Sequence, residues 1–233
     1  MYSRFKIISH KLVALVVLPF IAQIAFASDQ VSEEALSKLV NKLSVINTFS
    51  GAFVQESVDQ KGRRIQESKG ELKAQRPGLF YWHTKEPLEQ IIYSNAKEVT
   101  VYDPDLEQAT IQKINQQSQT TPAILFSGDV NKIGDLFDVE YHEVNDSTSQ
   151  FLLRPKTKES LFERLKLRFE GQHLKTMQLT DALGQISSLS FIYSEINLVF
   201  PDDTFTPVFP QNTDIIRDIP VPSQPVSSQP VIH

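Results

Sequence analysis

The side chains that ordinarily carry chemistry are sparse and scattered in this 233-residue chain. Its five histidines are His10, His83, His142, His173 and His233, and none has a second histidine or a carboxylate at metal-ligand spacing. Asp103-Pro104-Asp105 brings two carboxylates together, but that order of residues reads first as a turn. Cysteine is absent, which removes thiolate metal sites, a cysteine nucleophile and any disulfide framework. There is no G-x-S-x-G elbow, no phosphate loop and no G-x-G-x-x-G turn. Asn145-Asp146-Ser147 fits a glycosylation sequon, a pattern short enough to recur by chance. These residues predict no enzyme, no metal and no cofactor.

The unusual features are apolar, together with one arginine. Phe49, Phe53, Trp82 and Phe169 fall on the same side of alternating strands, and Ile124 and Leu125 belong to a short apolar helix. Such a set either fills a packed α+β core or lines a covered apolar cavity that takes an apolar ligand. Arg76 precedes Pro77-Gly78 and an aromatic strand. A guanidinium has five donors and no acceptor, so it can pin a helix by bonding its unpaired C-terminal carbonyls. It can equally be a surface arginine at a strand start, and residue type alone leaves both open.

The elements that position these residues begin after a leader. Arg4, Lys6 and Lys11 precede an apolar stretch from Leu12 to about Phe26, broken by Pro19 and Gln23. Ala25-Phe26-Ala27 then gives the small-x-small pattern of a signal-peptide cleavage site. The stretch is short of the ~20 residues of a membrane span. Residues 1–27 are therefore expected to be removed. Loss of three cations takes the formal charge from −5 to −8, which argues against nucleic-acid binding.

Ser32 to Ile46 is predicted to be a helix capped by Ser32, with Leu36, Leu39, Val40, Leu43 and Ile46 as its apolar stripe. From Phe49 the period changes to two. Strands are expected from Phe49, Arg63, Leu79, Gln90, Glu98 and Gln108. Thr121-Pro122 should open a short helix that Gly128 ends, with a second helical turn at Asp129–Gly134. Strands resume at Phe137, Gln150, Glu163, His173 and Gln185. In Glu163–Glu170, Arg164, Lys166 and Arg168 should face out while Leu165, Leu167 and Phe169 face in. The fold class is mainly β with α: an incomplete, open antiparallel β-barrel of about ten or eleven strands under a small helical lid. Residues 28–216 form the domain. Six of the 13 prolines lie at 207 or later, and 217–233 read as a disordered Pro-rich tail.

The runs Phe49-Ser-Gly-Ala-Phe-Val-Gln55, Gly70-Glu-Leu-Lys-Ala-Gln-Arg-Pro-Gly-Leu-Phe-Tyr-Trp82 and Tyr102-Asp-Pro-Asp-Leu-Glu-Gln108 resemble the periplasmic outer-membrane lipoprotein carrier family (LolA). Thr121–Phe126 and Phe209–Asp214 fit the same resemblance, which covers roughly residues 32–216. Two departures surround one hairpin. Asn95-Ala96 stands where the family has Asp-Gly, and Val99-Thr100 where it has Leu-Trp. The resemblance implies a soluble periplasmic monomer that carries acylated lipoproteins, loaded by an ATP-driven (ABC-type) inner-membrane releasing complex and relieved of cargo by an outer-membrane receptor. It implies that Arg76 is a lid latch bonding the carbonyls of Leu43, Phe126 and Ser127, and that Phe80 contacts cargo and partners at the cavity mouth. A receptor of the same fold needs a lipidated cysteine, which this chain lacks. The other reading is a generic envelope apolar-ligand-binding or lipid-modifying protein.

Overall fold

The computed structural model describes residues 23–114, 124–158, 160 and 162–217, with side chains from residue 33 onward except that of Ile124. The leader up to residue 22, the predicted Thr121-Pro122 helix start and the tail from 218 lie outside these residues.

Among the described residues twelve strands form one sheet. They are β1 (Thr48–Val58), β2 (Arg64–Gln75), β3 (Leu79–Glu86), β4 (Gln90–Asn95), β5 (Glu98–Asp103), β6 (Gln108–Lys113), β7 (Phe137–Asn145), β8 (Thr148–Pro155), β9 (Phe162–Glu170), β10 (His173–Asp181), β11 (Ile186–Ile196) and β12 (Asp214–Arg217). The spatial order is β12-β6-β5-β4-β3-β2-β1-β11-β10-β9-β8-β7. Neighbours are antiparallel except β12 and β6, which run parallel. The outermost strands β12 and β7 do not pair with each other, so the barrel is open. Hairpins build β1–β6 and β7–β11 from adjacent segments, and the two long-range pairings are β1 with β11 and β12 with β6.

Alternation sets which face is buried. In β9 Leu165, Leu167 and Phe169 are buried while Arg164, Lys166 and Arg168 are exposed, as their order predicts. Gly70 lies at a register shift against β3, where a Cβ would stand 2.0 Å from the His83 carbonyl oxygen. Only glycine lets the two strands cross so closely there.

Among the described residues three α-helices lie on the concave side, α1 (Gln23–Ser44), α2 (Ile124–Ser127) and α3 (Ile133–Leu136), with a 3-10 turn at Val130–Lys132. The stripe Ala35, Leu39 and Leu43 packs α1 over β7 and its neighbours. Lys38 and Lys42 lay their ammonium groups over the rings of Tyr141 and Phe169, 4.2 and 5.4 Å from the centroids. Helix α1 begins nine positions before the expected cap, so Ser32 is an interior residue rather than the N-cap. Ala25, Phe26 and Ala27 continue the helix because nothing there breaks it, and alanine is the best helix former.

Strand β12 corrects the reading of the C-terminus. Arg217 closes a strand rather than opening the tail. The segment before it leaves β11 at Asn197, whose side chain bonds the carbonyl of Val45 and the amide of Asn47 at 2.9 Å each. It then packs the Phe209 ring on Tyr102, with centroids 5.2 Å apart. It ends with the Asp214 amide on the Glu107 carbonyl at 2.7 Å.

Candidate functional site: an arginine clamp beside an apolar pocket

A helix of four residues has no stability of its own, since nucleation costs more than its few hydrogen bonds return. Helix α2 is held from two sides. Its Phe126 ring packs on Phe49 and Phe191, with centroids 4.9 and 6.1 Å away. On the other side Arg76, just past the end of β2, donates to the backbone. Its Nη2 reaches the Leu125 carbonyl at 2.6 Å, its Nη1 the Gly128 carbonyl, and its Nε the Ile46 carbonyl at 2.9 Å. One planar group thus ties the loop after α1 to a carbonyl within α2 and to the one just past its end. Backbone bonds run alongside it: the Arg76 amide to the Asn47 carbonyl at 2.9 Å, and the Gly78 amide to the Ser127 carbonyl at 2.7 Å.

The acceptors differ by one to three positions from those expected. Ile46 replaces Leu43, whose carbonyl accepts from the Ile46 amide at 3.1 Å. Leu125 and Gly128 flank the expected pair Phe126 and Ser127, because a fork of fixed width straddles the turn. Burial pulls the guanidinium pKa below its ordinary value, and Asp129 opposes that shift.

Beside the clamp lies a partly open pocket of about 810 Å³. Its floor is built from cross-strand neighbours on the concave face. Phe80 pairs with Ser94 and Trp82 with Ile92 between β3 and β4, and Ser94 pairs with Val99 between β4 and β5. Met177, Leu179 and Leu189 form the facing wall, and Ser127, Gly128 and Asp129 the roof. Trp82 is fixed by Phe53, 4.3 Å away between centroids, and by its indole nitrogen donating to the Thr84 hydroxyl at 3.0 Å. Among the residues expected to line a cavity, Trp82 does so, as does Phe80.

Phe49, Phe53, Leu125 and Phe169 do not. Each is at most 1 % exposed and is packed into the core. Phe169 stands edge-on to Phe151 under α1, and Phe49 lies against Phe191. A ring on the inward face reports direction, not whether an element covers it. The side chain of Ile124 lies outside the described residues. The pocket instead draws on aliphatic and small residues such as Ile92, Val99, Met177 and Leu189, which carry no distinguishing signal.

Of the four residues that depart from the family pattern, Ala96 and Val99 line this wall. Ala96 sits at φ 68°, in the left-handed region that favours glycine, and its Cβ would meet a Cβ placed on Gly78 at 2.2 Å. Val99 faces the pocket. Thr100 is buried on the opposite, convex face of β5.

Among the described residues no cluster of histidines and carboxylates could hold a metal, and no helix is long and apolar enough to cross a membrane. His83 is on the convex face, with its Nε2 2.7 Å from Glu89 and its Nδ1 3.1 Å from the Tyr81 hydroxyl. Burial and the Glu71 carboxylate push the Tyr81 phenol pKa up. Asp103 stands at the N-cap position of the 3-10 turn Pro104–Leu106 without a side-chain capping bond, its carboxylate accepting instead from Gln90 at 2.8 Å.

Comparison with known proteins agrees with this architecture. Residues 44–208 match the family described as outer membrane lipoprotein carrier protein LolA. An outer-membrane lipoprotein carrier protein of Hahella chejuensis is 41% identical over 201 residues, 86% of this chain and 96% of that protein. Its counterpart in Pseudomonas aeruginosa is 40% identical over 197 residues, 84% and 93% of the two chains. A solved structure of an uncharacterized conserved protein from Thermus thermophilus shares the fold, with TM-score 0.50 and 12% identity over 80% of this chain and 99% of that one. With an open sheet, the matching blocks and relatives aligned along nearly their whole length, the chain belongs to the outer membrane lipoprotein carrier protein (LolA) family.

Proposed function

We propose that this protein is a non-enzymatic carrier that takes acylated lipoproteins across an aqueous compartment, their chains held in the pocket under α2. The observation that carries this reading is the Arg76 clamp, which ties the roof of an apolar pocket to the loop after α1 through three backbone carbonyls. The names of the relatives, outer-membrane lipoprotein carrier proteins, support the cargo class.

The physics fits. Each methylene removed from water is worth about 0.8 kcal/mol. Acyl chains must therefore be covered in transit, yet their carrier must also release them. A four-residue roof held by one side chain meets both demands, because breaking a few hydrogen bonds uncovers the floor. The carrier domain begins after an N-terminal leader, 1–27, is removed on export to the periplasm and runs through β12 to Arg217; the residues after it are a tail. No residue set suggests a nucleotide site, so loading draws energy from an ABC-type releasing complex at the inner membrane. Unloading goes to an outer-membrane receptor, and Phe80 at the pocket wall touches cargo and partner. The protein acts as a monomer.

The test is transfer of a triacylated lipoprotein between purified membranes. Arg76→Leu should bind cargo but pass on little of it, and Arg76→Lys, with a single ammonium for three acceptors, should fall between. Normal transfer by Arg76→Leu would sink the latch. A photocrosslinker at Phe80 should capture lipoproteins and the receptor; free fatty acid released from cargo would point to an enzyme instead.

A further inference from the structure

On β9, Arg164, Lys166 and Arg168 alternate with buried residues, so all three stand on the convex face. Their spacing along the strand is about 6.8 Å. Their cross-strand neighbours are Thr180, Gln178 and Thr176 on β10, and Leu152 and Gln150 on β8, all uncharged. Among the described residues none of the three cations has an ion-pair partner. Lys69, Lys85 and Lys175 elsewhere on the sheet do meet carboxylates. The adjacent Arg154 is held by Glu140, and Lys175 lies 3.7 Å from Glu170.

A second feature shares this face. The register of β11 against β1 slips between Ala52 and Phe53, so Ile192 is an extra residue and both it and Tyr193 point outward. They are 73% and 58% exposed. Strands β9 and β10 are paired on both sides and offer no edge to an incoming strand. The unpartnered cations and the two exposed side chains suit a planar surface that is anionic above and apolar below.

We propose that the convex face of β9–β11 docks on a membrane through anionic phospholipid head groups. The head-group phosphates lie against Arg164, Lys166 and Arg168, and Ile192 and Tyr193 sit at the interface. The pocket opens on the concave side, so docking leaves it uncovered, and the two events are separable. The inference does not depend on what the pocket carries.

The experiment is vesicle flotation of the protein recovered from the periplasm. Vesicles of phosphatidylethanolamine with phosphatidylglycerol are compared with vesicles of phosphatidylcholine alone. Binding should need the anionic lipid and fall as salt shortens the screening length. Each cation near the surface adds about fivefold, so the triple variant Arg164→Gln/Lys166→Gln/Arg168→Gln should bind about 100-fold more weakly. Ile192→Ser/Tyr193→Ser should lose a smaller factor. Melting temperature and uptake of a fluorescent apolar probe should be unchanged in both. If the triple variant does not fold, Lys166→Gln and Lys166→Glu give the same test in graded form. Equal partition to both vesicles, unchanged binding by the variants, or binding to polyglutamate but not to anionic vesicles would overturn the assignment.

Discussion

The two ends of the sheet use the same alternation of residues to opposite effect. Under α1, the inward residues Phe151, Leu153, Leu165, Leu167 and Phe169 are all 0% exposed. Under α2, the inward residues of β3–β5 such as Trp82, Ile92 and Val99 are only partly buried and border the pocket. The strands do not explain the difference; the covers do. A 22-residue amphipathic helix lies across one end, and a four-residue helix tied down by Arg76 lies across the other. One end is filled by packing, and the other keeps a pocket beneath a short cover.

Core truncation should show the contrast at its largest. Phe151→Ala removes a ring packed on Tyr141 and Phe169, at 5.2 and 5.8 Å between centroids. It should cost about 3–5 kcal/mol in urea unfolding. Ile92→Ala, at a half-buried pocket position, should cost about 1 kcal/mol or less. Equal losses would mean that the pocket end is as fully packed as the other, and the distinction between them would fall.

Removing the clamp comes next. Arg76→Leu deletes three donors and leaves the carbonyls of Ile46, Leu125 and Gly128 to find water, at a cost of about 2 kcal/mol. The readout that separates local from global loosening is amide exchange. Protection should fall in α2 and in the loop after α1, while β8 and β9 keep theirs. Loss spread evenly over both ends would show the clamp to be an ordinary part of one cooperative core.

How much of this was legible beforehand follows the same division. The alternation of Arg164, Lys166 and Arg168 with Leu165, Leu167 and Phe169 placed β9 residue by residue, because burial on one face is written in side-chain type. The stripe of α1 was legible for the same reason, but not its first residue. Strand β12 was missed because four residues among prolines carry no period, and parallel pairing with β6 is a tertiary matter. Arg76 was legible only as a helix pin or a surface arginine, and the family resemblance pointed to the pin. Which carbonyls it finds was not, since a backbone oxygen has no signature in the sequence. The large rings of Phe49, Phe53 and Phe169 signal the inward face but not the pocket, which they do not line. A pocket is defined by what fails to fill it, and a list of apolar residues does not record that.

The smallest predicted effect lies at the pocket rim, in the turn between β4 and β5. Ala96 holds φ 68° there, a conformation costing a residue with a Cβ about 1–2 kcal/mol. Glycine would relieve that strain and return about 0.5–1 kcal/mol of it as extra freedom in the unfolded chain. Ala96→Gly should therefore raise stability by about 0.5–1 kcal/mol. For a chain of this size that is about 1–4 °C in melting temperature, measurable by calorimetry. Ala96→Val should lower it, since a β-branched side chain tolerates the left-handed region least. The opposing contribution is contact between the Ala96 Cβ and Gly78. In a densely filled core, losing a methyl group costs about 1 kcal/mol, enough to cancel the gain. A fall in melting temperature for Ala96→Gly would mean that the rim is packed as tightly as the end under α1, and that the openness of this end is confined to the pocket floor.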